Sequence, residues 1–132
     1  MGNEMDRVSQ LGGLRVTSRG GRRDVVCLHG ELDLATRDVL AAALDVRSET
    51  RDLRVDAAGL SFVDCSGLGT LVEIAQTVRS HGHRFEITRA SRALARLSEL
   101  TGQSEMLGLG RPGRLERIGG ERFTRRRRRT GG

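Results

Sequence analysis

The stretch Val55-Asp56-Ala57-Ala58-Gly59-Leu60-Ser61-Phe62-Val63-Asp64-Cys65-Ser66-Gly67-Leu68-Gly69-Thr70-Leu71 decides how this chain reads. An apolar run begins at Leu53 and Val55 and ends in small residues. After Phe62 and Val63 a polar cluster, Asp64-Cys65-Ser66-Gly67, opens a pattern of apolar residues at helical spacing: Leu68, Leu71, Val72, Ala75 and Val78. This order predicts a strand over 53–57, a loop, and a helix over 66–80 that stops at Gly82. Backbone N–H groups in the first turn of a helix have no intrahelical partner and carry the positive end of the helix dipole, so the turn favours oxyanions. Ser66 sits in that turn, where its hydroxyl can cap the helix or carry a phosphate that the same N–H groups stabilise. Gly67 and Gly69 have no side chains to screen it. The same cluster also reads as an ordinary helix cap with no further role.

Working outward, Leu14-Arg15-Val16 predicts a first strand, closed by a turn at Ser18-Arg19-Gly20-Gly21. Residues 24–28 are nearly all apolar, as expected of a strand covered on both faces, and run into Gly30-Glu31-Leu32-Asp33. Thr36 is a candidate cap for a helix over 37–47, with Val39, Leu40, Ala43 and Leu44 facing inward, and 48–52 is a loop. A strand over 84–88 alternates Phe85 and Ile87 with polar neighbours. Ser91 then caps a helix over 92–100 that stops at Gly102, and Met106, Leu107 and Leu109 suggest a last short strand. Strands alternating with helices predict a single α/β domain: a mixed open sheet of four to five strands packed with about three helices. Its expected limits are 12–109. Residues 1–11 read as a flexible start, and 110–132 as a Gly/Arg-rich tail too poor in apolar surface to offset the entropy of ordering.

Leu60-Ser61-Phe62-Val63-Asp64-Cys65-Ser66-Gly67-Leu68-Gly69, with Gly30-Glu31-Leu32-Asp33 about thirty residues upstream, resembles the anti-sigma factor antagonists of the STAS domain family. Leu94-Ala95-Arg96-Leu97-Ser98-Glu99-Leu100-Thr101-Gly102 resembles that family's third helix and its exit, so the likeness covers roughly residues 12–108. The resemblance implies a bacterial cytoplasmic regulator, not an enzyme. It would bind an anti-sigma factor, itself a serine kinase of the histidine-kinase-like ATPase class, and so free a sigma factor. Phosphorylation of Ser66 would switch it off and a serine phosphatase would restore it. The expected partner contacts are Asp33, Glu31, Asp64, Cys65, Gly67, Leu68 and Gly69. Asp33 ends a strand on the rim where Ser66 emerges, because loops after parallel strands open on one side; it also reads as an Asx-turn residue. Asp64 reads equally as part of the local negative field or as a loop-ordering aspartate. Leu60 and Phe62 are expected under the loop. Cys65 departs from the family, in which a second serine commonly precedes the acceptor. Members of the family usually continue with a further amphipathic helix where this chain turns to Gly and Arg.

At 132 residues, with 36% hydrophobic and 2% aromatic residues and neither Trp nor Tyr, the chain suits one core and offers no aromatic platform for single-stranded nucleic acid. Residues 1–110 hold 14 Arg against 15 acids, a net of −1, whereas 111–132 hold 9 Arg against 2, a net of +7. The basic balance therefore belongs to the tail, and nucleic acid is an expected partner only there, if at all. The opening residues have no apolar signal segment and no run is long enough to span a membrane. Two cysteines form no disulfide framework or zinc pattern, and no cofactor or metal is expected.

Two other functions compete. The first is a non-catalytic STAS adaptor subunit of a larger signalling or lipid-transport assembly, with Ser66 acting only as a cap. The second is thiol catalysis by Cys65 at its helix N-terminus, which needs a base. His81 and His83 lie at the far end of the same helix, about 22 Å away at 1.5 Å per residue, and leave only His29.

Overall fold

The computed structural model describes residues 6–11, 13–19 and 25–109. The strands are β1 (Asp6–Leu11), β2 (Leu14–Arg19), β3 (Val25–Leu32), β4 (Leu53–Val63) and β5 (Phe85–Ala90). The helices are α1 (Arg37–Leu44), α2 (Arg47–Thr50), α3 (Cys65–Ser80) and α4 (Arg92–Leu100). The strands form one sheet in chain order, antiparallel from β1 to β3 and parallel from β3 to β5. Parallel neighbours need a crossover: α1 and α2 connect β3 to β4, and α3 connects β4 to β5. The result is an α/β domain with a mixed sheet.

The core follows from alternation along the strands. Leu14 and Val16 of β2, Val26 and Leu28 of β3, Leu53 and Val55 of β4 and Ile87 of β5 are buried. They share one core with Leu40, Leu44, Leu71, Ala75, Val78 and Leu94 of the helices. The intervening strand residues are wetter: Arg15, Arg19, His29 and Arg89 are exposed, and Thr17, Cys27 and Asp56 are half-buried. The sheet is therefore covered on one face, not on two as the apolar run at 25–28 suggested, because Val25 and Cys27 are only half-buried.

Several elements differ from the sequence reading for local reasons. Residues 6–11, placed in a flexible start, form the edge strand β1. The strands β3 and β4 both run further than expected. Their parallel ladder continues through His29↔Gly59 and Gly30↔Leu60 to Leu32↔Val63, so most of the stretch read as a loop is strand. The expected helix over 37–47 ends at Leu44, and a short α2 replaces the loop; Val46 between them is 68% exposed. The last apolar cluster is a series of turns, not a strand: Leu107 N–H donates to Gln103 O and Leu109 N–H to Ser104 O, which buries both side chains without a ladder. The turn expected at 18–21 does not begin at Ser18, because β2 runs through Ser18 and Arg19 in register with β3; the rest of that turn and the Arg-rich tail lie outside the described residues.

The register at the end of β3 is shifted between Gly30 and Glu31, where Gly30 has φ +105°. Glu31 N–H donates to Gly13 O at 2.9 Å, and a methyl built on Gly30 would overlap that same oxygen. Gly30→Ala combines a disfavoured φ with a backbone clash, so it should lower unfolding free energy by about 3 kcal/mol or more, read from urea denaturation.

Candidate functional site

The parallel strands β3 and β4 end side by side, and their following loops open on one rim of the sheet. Asp64 N–H donates to Leu32 O at 3.1 Å, which fixes the second loop against the end of the first strand. Asp64, and not Ser66, is the N-cap of α3, and the helix begins at Cys65. The Asp64 carboxylate accepts from Gly67 N–H at 2.9 Å and from the Ser66 hydroxyl at 2.8 Å on one oxygen, and from Leu34 N–H at 3.2 Å on the other. These donors, Gly67 N–H foremost with the Ser66 hydroxyl and the Leu34 and Ser66 N–H groups, outweigh desolvation and hold its carboxyl below the ordinary aspartate value of 3.8.

The first loop closes on itself. The Asp33 carboxylate accepts from Ala35 N–H at 3.0 Å and Thr36 N–H at 3.1 Å, an Asx-turn arrangement. Thr36 is buried; its hydroxyl accepts from Asp33 N–H and donates to Glu31 O at 2.8 Å. It begins α1 without a side-chain bond to that helix, because the hydroxyl is spent on the loop.

The expected site residues divide accordingly. Ser66 is half-buried at the rim beside Asp64, Cys65 and Glu31 are exposed, and Asp33 is half-buried in its turn. Gly67 and Leu68, expected as partner contacts, are buried. A methyl on Gly67 would overlap the Leu32 carbonyl oxygen, so this glycine lets α3 approach β3 closely. Leu68 is 3% exposed and belongs to the core. Gly69 has open space around its Cα, and lines a shallow groove of about 260 Å³ with Cys65, Leu68, Val72, Thr101 and Gln103. Phe62, expected under the loop, is 48% exposed, while Leu60 is buried as expected. Leu34, which the sequence reading passed over, is 63% exposed. Its signal was an apolar residue in a polar turn, outside any helical or strand period.

The cysteines differ in setting. Burial and the nearby Asp56 charge push the Cys27 thiol up, which keeps it protonated. Cys65 is exposed, but the His29 ring lies against Gly59 in the middle of β4, where a side chain would overlap it, six residues before Cys65. His81 Nδ1 lies 2.9 Å from Thr77 O and His83 Nδ1 3.6 Å from Asp52 Oδ1, so both serve the turn after α3. Among the described residues, no three His, Cys, Asp or Glu side chains gather as a metal site, and no helix is long and apolar enough to cross a membrane.

The comparisons with known proteins bear on the family and the fold. Residues 16–108 match the family model described as Mlab, STAS domain. The chain belongs to the STAS domain family. Among curated relatives, the anti-sigma-B factor antagonist of Bacillus subtilis (strain 168) is 28% identical over 85 residues, covering 64% of this chain and 78% of that protein. The anti-sigma-B factor antagonist of Listeria monocytogenes serovar 1/2a is 32% identical over 80 residues, covering 59% of this chain and 70% of the relative. Among solved structures, the unphosphorylated form of the anti-sigma factor antagonist SpoIIAA superposes with a TM-score of 0.54 at 17% identity, over 76% of this chain and 84% of that one. The murine anion transporter Slc26a9 superposes with a TM-score of 0.55 at 16% identity, over 95% of this chain but 22% of that one.

Two glycines two residues apart, on opposite sides of α3, should respond oppositely. Gly67→Ala should cost about 1–3 kcal/mol through the Leu32 contact, whereas Gly69→Ala should stabilise by about 0.5–1 kcal/mol through helix propensity; thermal unfolding of the pair checks both. The Asp64 carboxylate sets a pH dependence. Because its folded pKa lies below the ordinary value of 3.8, its stabilisation is complete above that value and is lost as pH falls through the lower folded pKa. Urea midpoints at pH 6 and pH 3 should therefore drop less for Asp64→Asn than for the parent chain.

Proposed function

We propose that this STAS domain is an anti-sigma factor antagonist: it binds an anti-sigma factor of the histidine-kinase-like ATPase class, frees a sigma factor, and lets go when Ser66 is phosphorylated. The observation that carries this reading is the placement of the Ser66 hydroxyl, in the first turn of α3 on the open rim, 2.8 Å from the Asp64 carboxylate. A hydroxyl there is accessible to a kinase at one end of a rigid helix. The two antagonists named above supply the family context for it.

The physical consequences of a phosphate at Ser66 support a switch that leaves the fold standing. The group adds about −1.5 to −2 charges, and at its own helix N-terminus that charge is worth roughly 0.3–1 kcal/mol in favour of the folded state. At an interface it is bulky and costly to desolvate unless it is paired. It also replaces the hydroxyl donor to Asp64 with anionic oxygens beside a carboxylate. Steric block and local repulsion therefore release the partner while the domain persists. Asp64, Cys65 and the open Cα of Gly69 surround the acceptor and are the contacts a partner approaching Ser66 would meet, with Asp33 and Glu31 across the rim.

A second reading keeps the fold and changes the task, and the Slc26a9 superposition favours it: nearly this whole chain matches one part of a much larger protein. There the domain is a non-catalytic adaptor and Ser66 only donates to the cap. Intact mass after incubation with ATP and each purified ATPase-class anti-sigma factor of the same genome separates the two. One added phosphate on the parent chain and none on Ser66→Ala is expected from the switch. Stable binding without phosphate, unchanged in Ser66→Asp, would identify the adaptor.

A further inference from the structure

The described residues expose four large apolar side chains, Leu34, Val46, Phe62 and Leu100, and two of these stand on the rim that carries Ser66. Phe62 lies at the end of β4, two residues before Asp64, and Glu31 is its register partner on β3. Leu34 follows Asp33 in the neighbouring loop, and its backbone N–H is held by the Asp64 carboxylate at 3.2 Å. Both exposed side chains are therefore carried by ordered backbone. Leu34 is fixed by a hydrogen bond and by the Asp33 turn, and Phe62 by the ladder.

The two rim loops carry acidic charge, and the nearest following cation, Arg37 at the start of α1, lies 3.9 Å from Asp38. Glu31, Asp33 and Asp64 share the rim, and neither 28–36 nor 58–72 contains an Arg or Lys. Asp33 and Asp64 each accept from backbone N–H groups, and Glu31 is exposed. Contiguous apolar surface rimmed by polar residues marks interaction sites, and a preformed apolar knob loses little conformational entropy on binding. Charged groups at such a rim orient the encounter, whereas buried apolar anchors supply most of the affinity.

We propose that Leu34 and Phe62 are the apolar anchors of a docking surface for a protein partner whose facing surface is basic and recessed at two points. This rests on the reading above, with the ATPase-class anti-sigma factor as that partner. The arrangement also assigns Asp64 a task beyond capping: the carboxylate that accepts from the Ser66 hydroxyl is the one that holds the backbone of the Leu34 anchor. A phosphate at Ser66 removes the hydroxyl donor and adds negative charge beside that carboxylate, so modification reaches the anchor through the two bonds that Asp64 makes, one to Ser66 and one to Leu34 N–H.

The test measures calorimetric affinity of the full chain for each purified ATPase-class anti-sigma factor of the same genome, with ATP-dependent phosphate on Ser66 scored separately by intact mass. Leu34→Ser and Phe62→Ser each change an exposed residue and should keep the parent unfolding temperature. Each should weaken binding at least about tenfold. Val46→Ser, at the opposite end of α1, should bind as the parent does. Glu31→Arg should weaken binding and flatten its decline with added salt. If the parent binds and is phosphorylated but Leu34→Ser and Phe62→Ser bind equally well, the docking surface is wrong and the Ser66 switch stands. If no candidate binds or phosphorylates the parent chain, both are wrong. Affinity that rises with salt would overturn the basic partner.

Discussion

One carboxylate ties the two strand-to-helix loops of this domain together. Asp64 satisfies a first-turn N–H of α3 at Gly67, receives the Ser66 hydroxyl, and reaches across to Leu34 N–H in the loop after β3. Its own N–H is anchored on Leu32 O. The start of the longest helix, the end of a central strand and the entry to α1 are thus fixed relative to one another by groups on a single residue. Leaving the part-buried Gly67 N–H without a partner would cost about 1–3 kcal/mol, so the start of α3 is enforced at that residue.

That tie depends on close backbone approach, which explains the glycines around it. Gly67 must be bare because α3 starts against the Leu32 carbonyl, and Gly30 must be bare because β3 turns against Gly13. Gly69 meets nothing. A glycine in a helix interior forfeits about 1 kcal/mol relative to alanine, and packing within the chain gives no reason for this one. A bare Cα beside an exposed cysteine and the Ser66 hydroxyl is instead consistent with an approach from outside the chain.

The sequence was most legible where a period repeats. The apolar residues of α3 and the Ser91 cap of α4 follow from side-chain spacing and turn chemistry, and both are where that reasoning puts them. Legibility failed where tertiary partners decide. Gly59 looks like a loop residue, yet β3 supplies a ladder partner for it in His29, and its bare Cα makes room for the His29 ring. Leu107 and Leu109 look like a strand, yet no strand edge receives them and they are buried in turns. At the site, Asp64 and Ser66 both had the chemistry of a cap. Only the extended backbone of Asp64, at φ −107° and ψ 180°, and its bond to Gly67 N–H distinguish them.

That distinction bears on mechanism. Had Ser66 been the cap, a phosphate there would have displaced the bond that starts α3, and modification would have loosened the helix. Because Asp64 caps instead, the Ser66 oxygen is free of any structural duty toward the backbone; it only donates to a carboxylate. On the switch proposed above, a phosphate at Ser66 would alter the surface, and the charge that Asp64 feels, without removing a hydrogen bond on which the helix depends. Under that proposed switch, a domain built this way would carry the modification as a change of surface and keep its fold, as repeated binding and release of one partner would require.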